Sequence, residues 1–575
     1  MAETTLNAFP SAAKPEIRHD YQWLRTYPKN VDWFAPLKGE PLPDMLDRTV
    51  RDYGGASATY FMGAAMTYRQ IGALADKAAK GLQAMGVKKG TRVGLLLPNV
   101  PYYPILYYAI LKAGGIVVNF NPLYTVEELS HQVKDSGTAI MATLDLAALF
   151  PKVEALLASG TLEKAIICPF PKVLPGIKGV LFKLLKGKEL ANIAASSQRG
   201  KLTTFDQLTA NDGKYARVGI DPDNDIAVLQ YTGGTTGTPK GAMLTHSNLS
   251  INVKQADTYE PDFGKGTERI MSVLPFFHVF AMTAIMNRAV ANAAQMILVP
   301  RFDVEMVMKL IRATRPTVMP GVPTLFNAIR NYPKLRPDDL KSLRTGISGG
   351  APLPVELKRN FERDAGVVLV EGYGLSETAP IATCNHADVP IREGSIGLPM
   401  PGTIISLRSL DDPSKEVAIG ERGEICIAGP QVMKGYWNKP DETKAAFVGE
   451  FFRSGDVGIM DADGFTYIVD RIKDLILCSG YNVYPRRIEE ALYQHPAVEE
   501  VTVIGIPDDY RGEAPKAFIK LREGQSATKE DIFKFLEPKL SKIEMPAQIE
   551  FRDALPKTMV GKLSKKELRA EAKGH

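Results

Sequence analysis

Hydrophobic and polar residues follow two periods along most of this 575-residue chain, one typical of amphipathic helices and one typical of buried strands. Apolar residues recur with a helical period from Tyr68 to Met85, and a short, mostly apolar run follows at 92–97. A second helical pattern near 102–112 leads into another such run at 116–120. Helices that alternate with buried strands predict an α/β fold with parallel sheets, and comparable units continue to about residue 400.

The pattern changes after that point. Residues 404–468 are dense in strand-forming residues and glycine, which predicts a β-rich subdomain. After Arg471 a further stretch of about 100 residues has strand and helix patterns of its own, which predicts a small α+β domain. We therefore expect a large N-terminal domain of parallel-type α/β subdomains with a β-rich subdomain, followed by a small C-terminal domain.

Composition narrows the classes of function. With 45% hydrophobic residues the chain can bury the cores of two or more domains, and it has no apolar run of the roughly 18–20 residues that a membrane span needs. The first residues lack the basic region and apolar core of a secretory signal. Four dispersed cysteines argue against zinc and disulfide frameworks, and a net charge of +5 does not suggest nucleic acid. We expect a cytoplasmic protein without a nucleic-acid partner.

The most informative segment is a loop rich in glycine and threonine at 231–241, directly after the strand-like run 226–229. Its glycines allow a tight turn close to a ligand, and its hydroxyls and free N–H groups can surround phosphate oxygens beside Lys240. It is not a Walker A loop, because Pro239 precedes the lysine and Gly241 follows it. The alternative for this segment alone is a solvated surface loop.

Five further motifs follow in a fixed order, and with them the loop closely resembles the adenylate-forming enzymes. They are Ser348–Pro352, Glu371–Thr378, Ser454–Asp456, Asp470–Asp474 and Pro556–Lys562. This superfamily holds acyl-CoA synthetases, luciferases and the adenylation domains of peptide synthetases. Each motif alone has an ordinary structural explanation, but six in one order make coincidence implausible.

The resemblance implies a role for each matched residue. Lys562, Glu377 and Lys240 would be catalytic, and Thr232 with Glu377 would hold Mg²⁺. Tyr373 would stack on adenine, Thr378 would meet the adenylate phosphate, and Asp456 would bind the ribose hydroxyls. The residues expected to bind ATP or AMP are Thr232, Gly233, Gly234, Thr235, Thr236, Gly237, Lys240, Gly349, Gly350, Ala351, Glu371, Gly372, Tyr373, Gly374, Thr378, Asp456 and Arg471.

It also implies a two-step reaction in which ATP, Mg²⁺ and coenzyme A take part. A carboxylic acid attacks ATP to form acyl-AMP and pyrophosphate, and a thiol then displaces AMP. Between the steps a small, mobile C-terminal domain (475–575) would rotate against the N-terminal domain (1–470) about a hinge at 471–474, with Lys473 as the pivot. Gly480 and Tyr481 would then border the tunnel for free CoA, since no carrier domain follows the last motif.

Several motifs look most like those of bacterial medium- and long-chain fatty acyl-CoA ligases. The expected acyl pocket comprises Phe277, His278, Met282, Arg288 and Val322. The alternative for His278 is a packed, hydrogen-bonded histidine. Arg288 interrupts an apolar helix: we favour an ion pair at a surface or between domains, and the alternative is an arginine that receives the distal carboxylate of a dicarboxylic acid.

Residues 173–190 combine lysines with an apolar stripe at helical spacing. Ile177, Val180, Leu181, Leu184 and Leu185 form the stripe, and four lysines share the segment. Such a helix either packs its stripe on its own domain or makes peripheral contact with a membrane.

Two other functions and a further partner stay open at this stage. A non-catalytic adenylate-binding protein would lack Lys562, and an aryl- or amino-acid adenylating enzyme would show a polar anchor or a short closed pocket. Glu544 stands where relatives usually have lysine, so a role of this position in holding CoA is in doubt. A homodimer is a further expectation.

Overall fold

The computed structural model describes residues 17–232, 239–558 and 561–572. The strands in the first 400 residues are β1 Ser57–Phe61, β2 Ala64–Thr67, β3 Arg92–Leu96, β4 Ile116–Asn119, β5 Ile140–Leu144, β6 Lys164–Cys168, β7 Leu202–Thr204, β8 Ile226–Thr232, β9 Lys240–Thr245, β10 Arg269–Ser272, β11 Gln295–Leu298, β12 Val318–Gly321, β13 Thr345–Gly349, β14 Val368–Gly374, β15 Ile381–Cys384 and β16 Leu398–Pro399. The later strands are β17 Ile404–Arg408, β18 Arg422–Ala428, β19 Phe447–Val448, β20 Phe451–Met460, β21 Thr466–Arg471, β22 Ile476–Cys478, β23 Tyr481–Val483, β24 Val498–Asp508, β25 Gly512–Leu521 and β26 Gln548–Phe551.

The helices are distributed along the whole chain. The α-helices are α1 Leu42–Tyr53, α2 Tyr68–Ala84, α3 Tyr102–Lys112, α4 Val126–Ser136, α5 Phe150–Ala158, α6 Gly176–Leu185, α7 Phe205–Thr209, α8 His246–Tyr259, α9 Arg288–Ala291, α10 Val304–Thr314, α11 Pro323–Arg330, α12 Val355–Ala365, α13 Pro440–Ala445, α14 Pro485–Tyr493, α15 Lys529–Leu536 and α16 Lys565–Ala572. A π-helix spans Phe280–Asn287, and a short 3₁₀ helix spans Ile472–Asp474. No helix in the described ranges combines the length and the apolar character that crossing a membrane requires.

Two mostly parallel sheets form the larger part of the molecule. One has the order β7-β6-β5-β3-β4-β8-β9, and only its last pair, β8 with β9, is antiparallel. The other has the order β16-β15-β14-β13-β12-β10-β11-β1-β2, with parallel pairing from β14 through to β1. The predicted α/β architecture is therefore confirmed.

The later strands form two smaller sheets. Strands β17 to β21 make an antiparallel sheet in which β18 and β20 are central, as the pattern at 404–468 predicted. Strands β22 to β26 make a separate sheet with its own apolar core, which packs against α14 and α15. The C-terminal part is thus α+β, in agreement with its sequence pattern.

Local sequence signals explain why the predicted helices begin where they do. Thr67 and Gln70 form a reciprocal capping box at the start of α2, and Thr125 does the same with Glu128 at α4. The apolar run after His278 is helical but adopts the wider π form over Phe280–Asn287. The helix that we expected around Arg288 is therefore present, but most of it is not an α-helix.

A buried tyrosine of α3 connects the core to the loop that precedes the π-helix. Tyr103 donates a hydrogen bond to the Asn119 side chain at 2.6 Å and contacts the Phe276 carbonyl oxygen at 3.0 Å. The Asn119 amide donates to Gln230, whose own amide donates to the Phe277 carbonyl at 3.0 Å. Because buried polar groups are costly unless paired, this network holds the 275–278 loop in one position.

Candidate active site

A cavity of about 1530 Å³ lies where the nine-stranded sheet, the β17–β21 sheet and the C-terminal region meet. Strands β12, β13 and β14 are parallel, so their carboxyl ends reach the same edge of the sheet, which is the usual place for a ligand in such sheets. The predicted nucleotide-binding residues in its wall are Thr232, Lys240, Gly349, Gly350, Ala351, Glu371, Gly372, Tyr373, Gly374, Asp456 and Arg471. Lys562, Glu377, Phe277, His278, Arg288 and Lys473 line it as well.

Small residues at the end of β13 allow the C-terminal loop to approach closely. Gly350 has φ +77°, a conformation that glycine adopts at little cost. A Cβ at this position would lie 3.0 Å from Cε of Lys562. A larger residue at 350 would therefore displace the lysine as well as strain the backbone.

Asp456 is the centre of the predicted ribose site. The pairing of β20 with β21 places it opposite Arg471, whose Nε donates to Asp456 Oδ1 at 2.8 Å. The Tyr373 hydroxyl donates to the other carboxylate oxygen at 2.7 Å. The Asp456 side chain is 8% exposed, so its two partners hold it in a fixed orientation facing the cavity.

Glu377 and Lys240 are joined by an aromatic residue for which the sequence predicted no role. The Tyr436 hydroxyl donates to Glu377 Oε1 at 2.7 Å, and the Lys240 ammonium lies 5.1 Å from the centroid of the Tyr436 ring. A bridge between Ala242 and Tyr436 attaches this segment to β9. Burial raises the pKa of the Glu377 carboxyl. Tyr436 thus orients the carboxylate that we expected to hold Mg²⁺.

Lys562 extends from a loop that is anchored on both sides. The Thr558 N–H donates to the Lys562 carbonyl at 2.7 Å, and the Thr324 hydroxyl of α11 donates to the Gly561 carbonyl at 2.7 Å. Burial, reinforced by the nearby Arg471 charge, lowers the pKa of Lys562 to about 8. The lysine is therefore held at the cavity with a proton that it can lose near neutral pH.

His278 lines the cavity. Burial, with a contribution from the Lys562 charge, lowers the pKa of His278 to about 3, so the imidazole is neutral. The Phe280 N–H donates to its Nδ1 at 3.3 Å, which leaves Nε2 as the protonated nitrogen. The cavity wall also includes Ala256, Tyr259, Ala284, Ile381, Cys384 and Met400.

Arg288 also lines the cavity, but two carboxylates neutralise it. Its Nε donates to Asp257 at 3.0 Å and its Nη1 to Glu260 at 2.6 Å, while the guanidinium lies 4.0 Å from the Phe263 ring centroid. Arg288 thus forms an ion pair, but a buried one within the N-terminal domain and not one at a surface or between domains, as we had favoured. Because two carboxylates already face the single guanidinium, there is no net positive charge here to attract the distal carboxylate of a dicarboxylic substrate.

Three predicted residues lie elsewhere than we expected. Thr378 is buried, and its hydroxyl bonds to the Leu375 and Pro380 carbonyls, because it closes the turn after β14. Met282 is buried behind the wall with its sulfur 3.2 Å from Asn119 Nδ2, and Val322 packs beneath Gly350 and Gly561. Gly480 and Tyr481, which we expected to border the CoA tunnel only after rotation of the C-terminal domain, lie on the β22–β23 turn and do not line the cavity, with Tyr481 63% exposed. Gly233, Gly234, Thr235, Thr236 and Gly237 fall outside the described residues.

Comparison with known proteins agrees with this arrangement. Residues 46–437 match the family model of the AMP-binding enzymes, and residues 487–562 match the model of the AMP-binding enzyme C-terminal domain. The chain belongs to the AMP-binding enzyme family. It is an AMP-forming acid–CoA ligase, and its substrates include ATP, with Mg²⁺, and coenzyme A.

Three relatives of this AMP-binding enzyme are informative. The chain is 41% identical to a long-chain-fatty-acid–CoA ligase of Bacillus subtilis (strain 168) and 39% identical to one of Escherichia coli O157:H7, in each case over 96% of this chain and 98% of the relative. Among solved structures it resembles ATP-bound MatB from Rhodopseudomonas palustris, with a TM-score of 0.82 and 29% identity over 93% of this chain and 99% of that one.

Proposed function

We propose that this ligase activates medium- and long-chain fatty acids. The observation that carries the proposal is the set of apolar residues in the cavity wall, among them Ala256, Ala284, Ile381 and Met400, which suits an alkyl chain. The names of the two bacterial relatives support the same substrate class. Specificity for medium-chain dicarboxylic acids is a weaker alternative, since Arg288 is already paired with Asp257 and Glu260. An aryl- or amino-acid substrate is too short to contact all of these apolar residues.

In the first half-reaction we assign the central role to Lys562. Its ammonium lies on the cavity side of Gly350, where it can contact both the fatty acid carboxylate and the α-phosphate as negative charge builds between them. The neutral imidazole of His278 can donate its Nε2–H to a carboxylate oxygen without adding a second positive charge. Acyl-AMP forms when the carboxylate oxygen bonds to phosphorus and pyrophosphate leaves.

Glu377 and Thr232 fit a hard cation, because both offer oxygen atoms at the cavity wall. They would hold Mg²⁺ together with oxygens of ATP, and the bound ion supplies positive charge to the departing pyrophosphate. Lys240, held over the Tyr436 ring, contributes a second positive charge on the same side.

For the second half-reaction we propose that residues 475–575 rotate about the 471–474 hinge. Lys562 occupies the cavity here, whereas Tyr481 and Tyr510 are exposed on neighbouring turns of the C-terminal sheet. These exposed side chains would be available to contact CoA after such a rotation. Lys473 remains the proposed pivot. Its pKa is lowered by burial and by the Arg471 charge. A CoA role for Glu544 gains no support, because this carboxylate pairs with Arg487 and accepts hydrogen bonds from Ser541.

A panel of acids tests the substrate proposal. Pyrophosphate release would be measured with monocarboxylic acids from acetate to stearate, dicarboxylic acids from succinate to sebacate, benzoate and amino acids, with Lys562→Ala as the inactive control. We expect the highest kcat/KM with octanoate or longer monocarboxylic acids. A preference for benzoate, an amino acid or a dicarboxylic acid would contradict the proposal.

The location and the assembly of the enzyme are separate proposals. We retain a cytoplasmic enzyme, with a peripheral contact between residues 173–190 and the membrane. A homodimer also remains a prediction, for which light scattering coupled to gel filtration is the direct test.

A further inference from the structure

Helix α6 presents its apolar stripe to solvent. Ile177 is 80% exposed, Leu184 is 74% exposed and Leu185 is 79% exposed, with Val180 and Leu181 exposed between them. The sequence left open whether this stripe packs on its own domain, and in this structure it does not. Five large apolar side chains exposed on one ten-residue helix mark an interaction surface rather than scattered surface residues.

The opposite side of the helix explains this orientation. Gly179 is buried, and a Cβ at this position would lie 2.4 Å from the Pro171 carbonyl oxygen. The helix therefore packs closer to the protein than a side chain at position 179 would allow. Phe182 packs edge-on against Phe170, with 5.1 Å between ring centroids, and Phe170 packs in turn against Phe61 of the core. Gly179 and Phe182 thus fix the inward side and turn the stripe outward.

Positive charge surrounds the stripe. Residues 176–190 contain four lysines and one glutamate, a net charge of +3, and all four lysines are exposed. Lys178 donates to the carbonyl of Met62, whose own exposed side chain lies on the adjacent β1–β2 turn. An apolar face rimmed by lysines has the composition of helices that lie in the interface of an anionic bilayer.

We propose that α6, together with the Met62 turn, docks the enzyme on anionic membranes. The apolar side chains would enter the boundary between headgroups and acyl chains, and the lysines would contact lipid phosphates. A second copy of the chain fits less well. A two-fold interface would bring the same lysine-rimmed face against itself, so that like charges would meet.

If the substrate is a fatty acid, docking on a membrane would give the enzyme access to it. This benefit rests on the proposed function, whereas the docking itself does not. Long-chain fatty acids partition into bilayers, so an enzyme held at the bilayer meets them at a higher local concentration. The docking itself can be measured without substrate, and its failure is therefore distinguishable from a failure of the substrate proposal.

Vesicle sedimentation tests the docking. The full-length protein would be mixed with vesicles of phosphatidylcholine containing about one-third phosphatidylglycerol, and with pure phosphatidylcholine vesicles, at low salt. Ile177→Ser/Leu184→Ser/Leu185→Ser removes the apolar contact, and Lys183→Glu/Lys188→Glu reverses two charges. Lys29→Glu/Lys265→Glu, at exposed lysines elsewhere, is the matched control.

We expect the wild type and the control to bind the anionic vesicles, with at least a tenfold lower bound-to-free ratio for each α6 variant. Activity on soluble octanoate should stay at the wild-type level in all variants, whereas activity on palmitate presented in vesicles should fall in the α6 variants. A wild type that does not sediment, or α6 variants that sediment like the control, would overturn the proposal. So would a change from dimer to monomer in the α6 variants, which would identify a second copy as the partner.

Discussion

Replacement of Arg288 separates a structural ion pair from a substrate contact. The guanidinium is 5% exposed and pairs with Asp257 and Glu260 at 3.0 and 2.6 Å. Arg288→Leu would leave both carboxylates without a cation, and breaking a buried pair in this way costs roughly 3–5 kcal/mol. Because Asp257 and Glu260 keep 29% and 31% of their side-chain surface in water, we expect a loss near about 3 kcal/mol.

The assay is the first unfolding transition in urea at two pH values. Burial already raises the pKa of Asp257, and loss of the arginine would raise it further. The folded variant then binds more protons than the unfolded chain, so its stability should fall as pH rises above about 4, where an unperturbed aspartate titrates. Arg288→Leu/Asp257→Asn/Glu260→Gln, which removes all three charges, should recover more than half of the loss.

The same variant tests the dicarboxylate alternative. We expect Arg288→Leu to change kcat/KM equally for monocarboxylic and dicarboxylic acids of the same length. Unchanged stability together with a tenfold selective loss for dicarboxylic acids would refute this reasoning and assign Arg288 to the substrate.

Three further outcomes test the reaction. Lys562→Ala should slow acyl-AMP formation by roughly 10²–10³-fold, because a charge that stabilises the transition state is lost. Thioester formation from preformed acyl-AMP should stay near the wild-type rate. Equal losses in both half-reactions would contradict the account. In wild type, kcat/KM for adenylation should decline as pH rises through about 8, where Lys562 loses its proton, and Lys562→Arg should move that decline to higher pH. Tyr436→Phe should lower adenylation about tenfold and raise the Mg²⁺ requirement, since hydrogen bonds to charged groups contribute roughly 1.5–3 kcal/mol. Tyr467→Phe, which removes a 3.0 Å bond to Asp461, is its control and should have little effect on either.

The parts of the site that could be predicted from sequence are those whose residues lie within one short motif. Glycines after β13 and the carboxylate on β20 stand in short motifs, and each motif needs only its own strand end or turn to be recognised. Parallel strands then bring the motifs to one edge of the sheet. The helix and strand periods likewise predicted α2, β3, α3 and β4 to within one residue at each end.

Long-range pairing accounts for what was not predictable. Tyr436 orients Glu377 across 59 positions, and Asp257 neutralises Arg288 across 31. No local pattern at either residue indicates its partner. The stripe of α6 shows the same limit, because periodicity predicts a helix with an apolar side but not the side that packs. Gly179 and Phe182 decide that, through contacts with residues that precede α6 in the chain.

The central claim is that this chain joins a fatty acid to CoA through an acyl adenylate. The most direct test incubates the enzyme with ATP, Mg²⁺, CoA and palmitate and measures all products by chromatography. The account predicts AMP, pyrophosphate and palmitoyl-CoA in equal amounts, and a single-turnover burst of pyrophosphate when CoA is omitted. Release of ADP and phosphate, or nucleotide turnover that does not depend on the fatty acid, would contradict it.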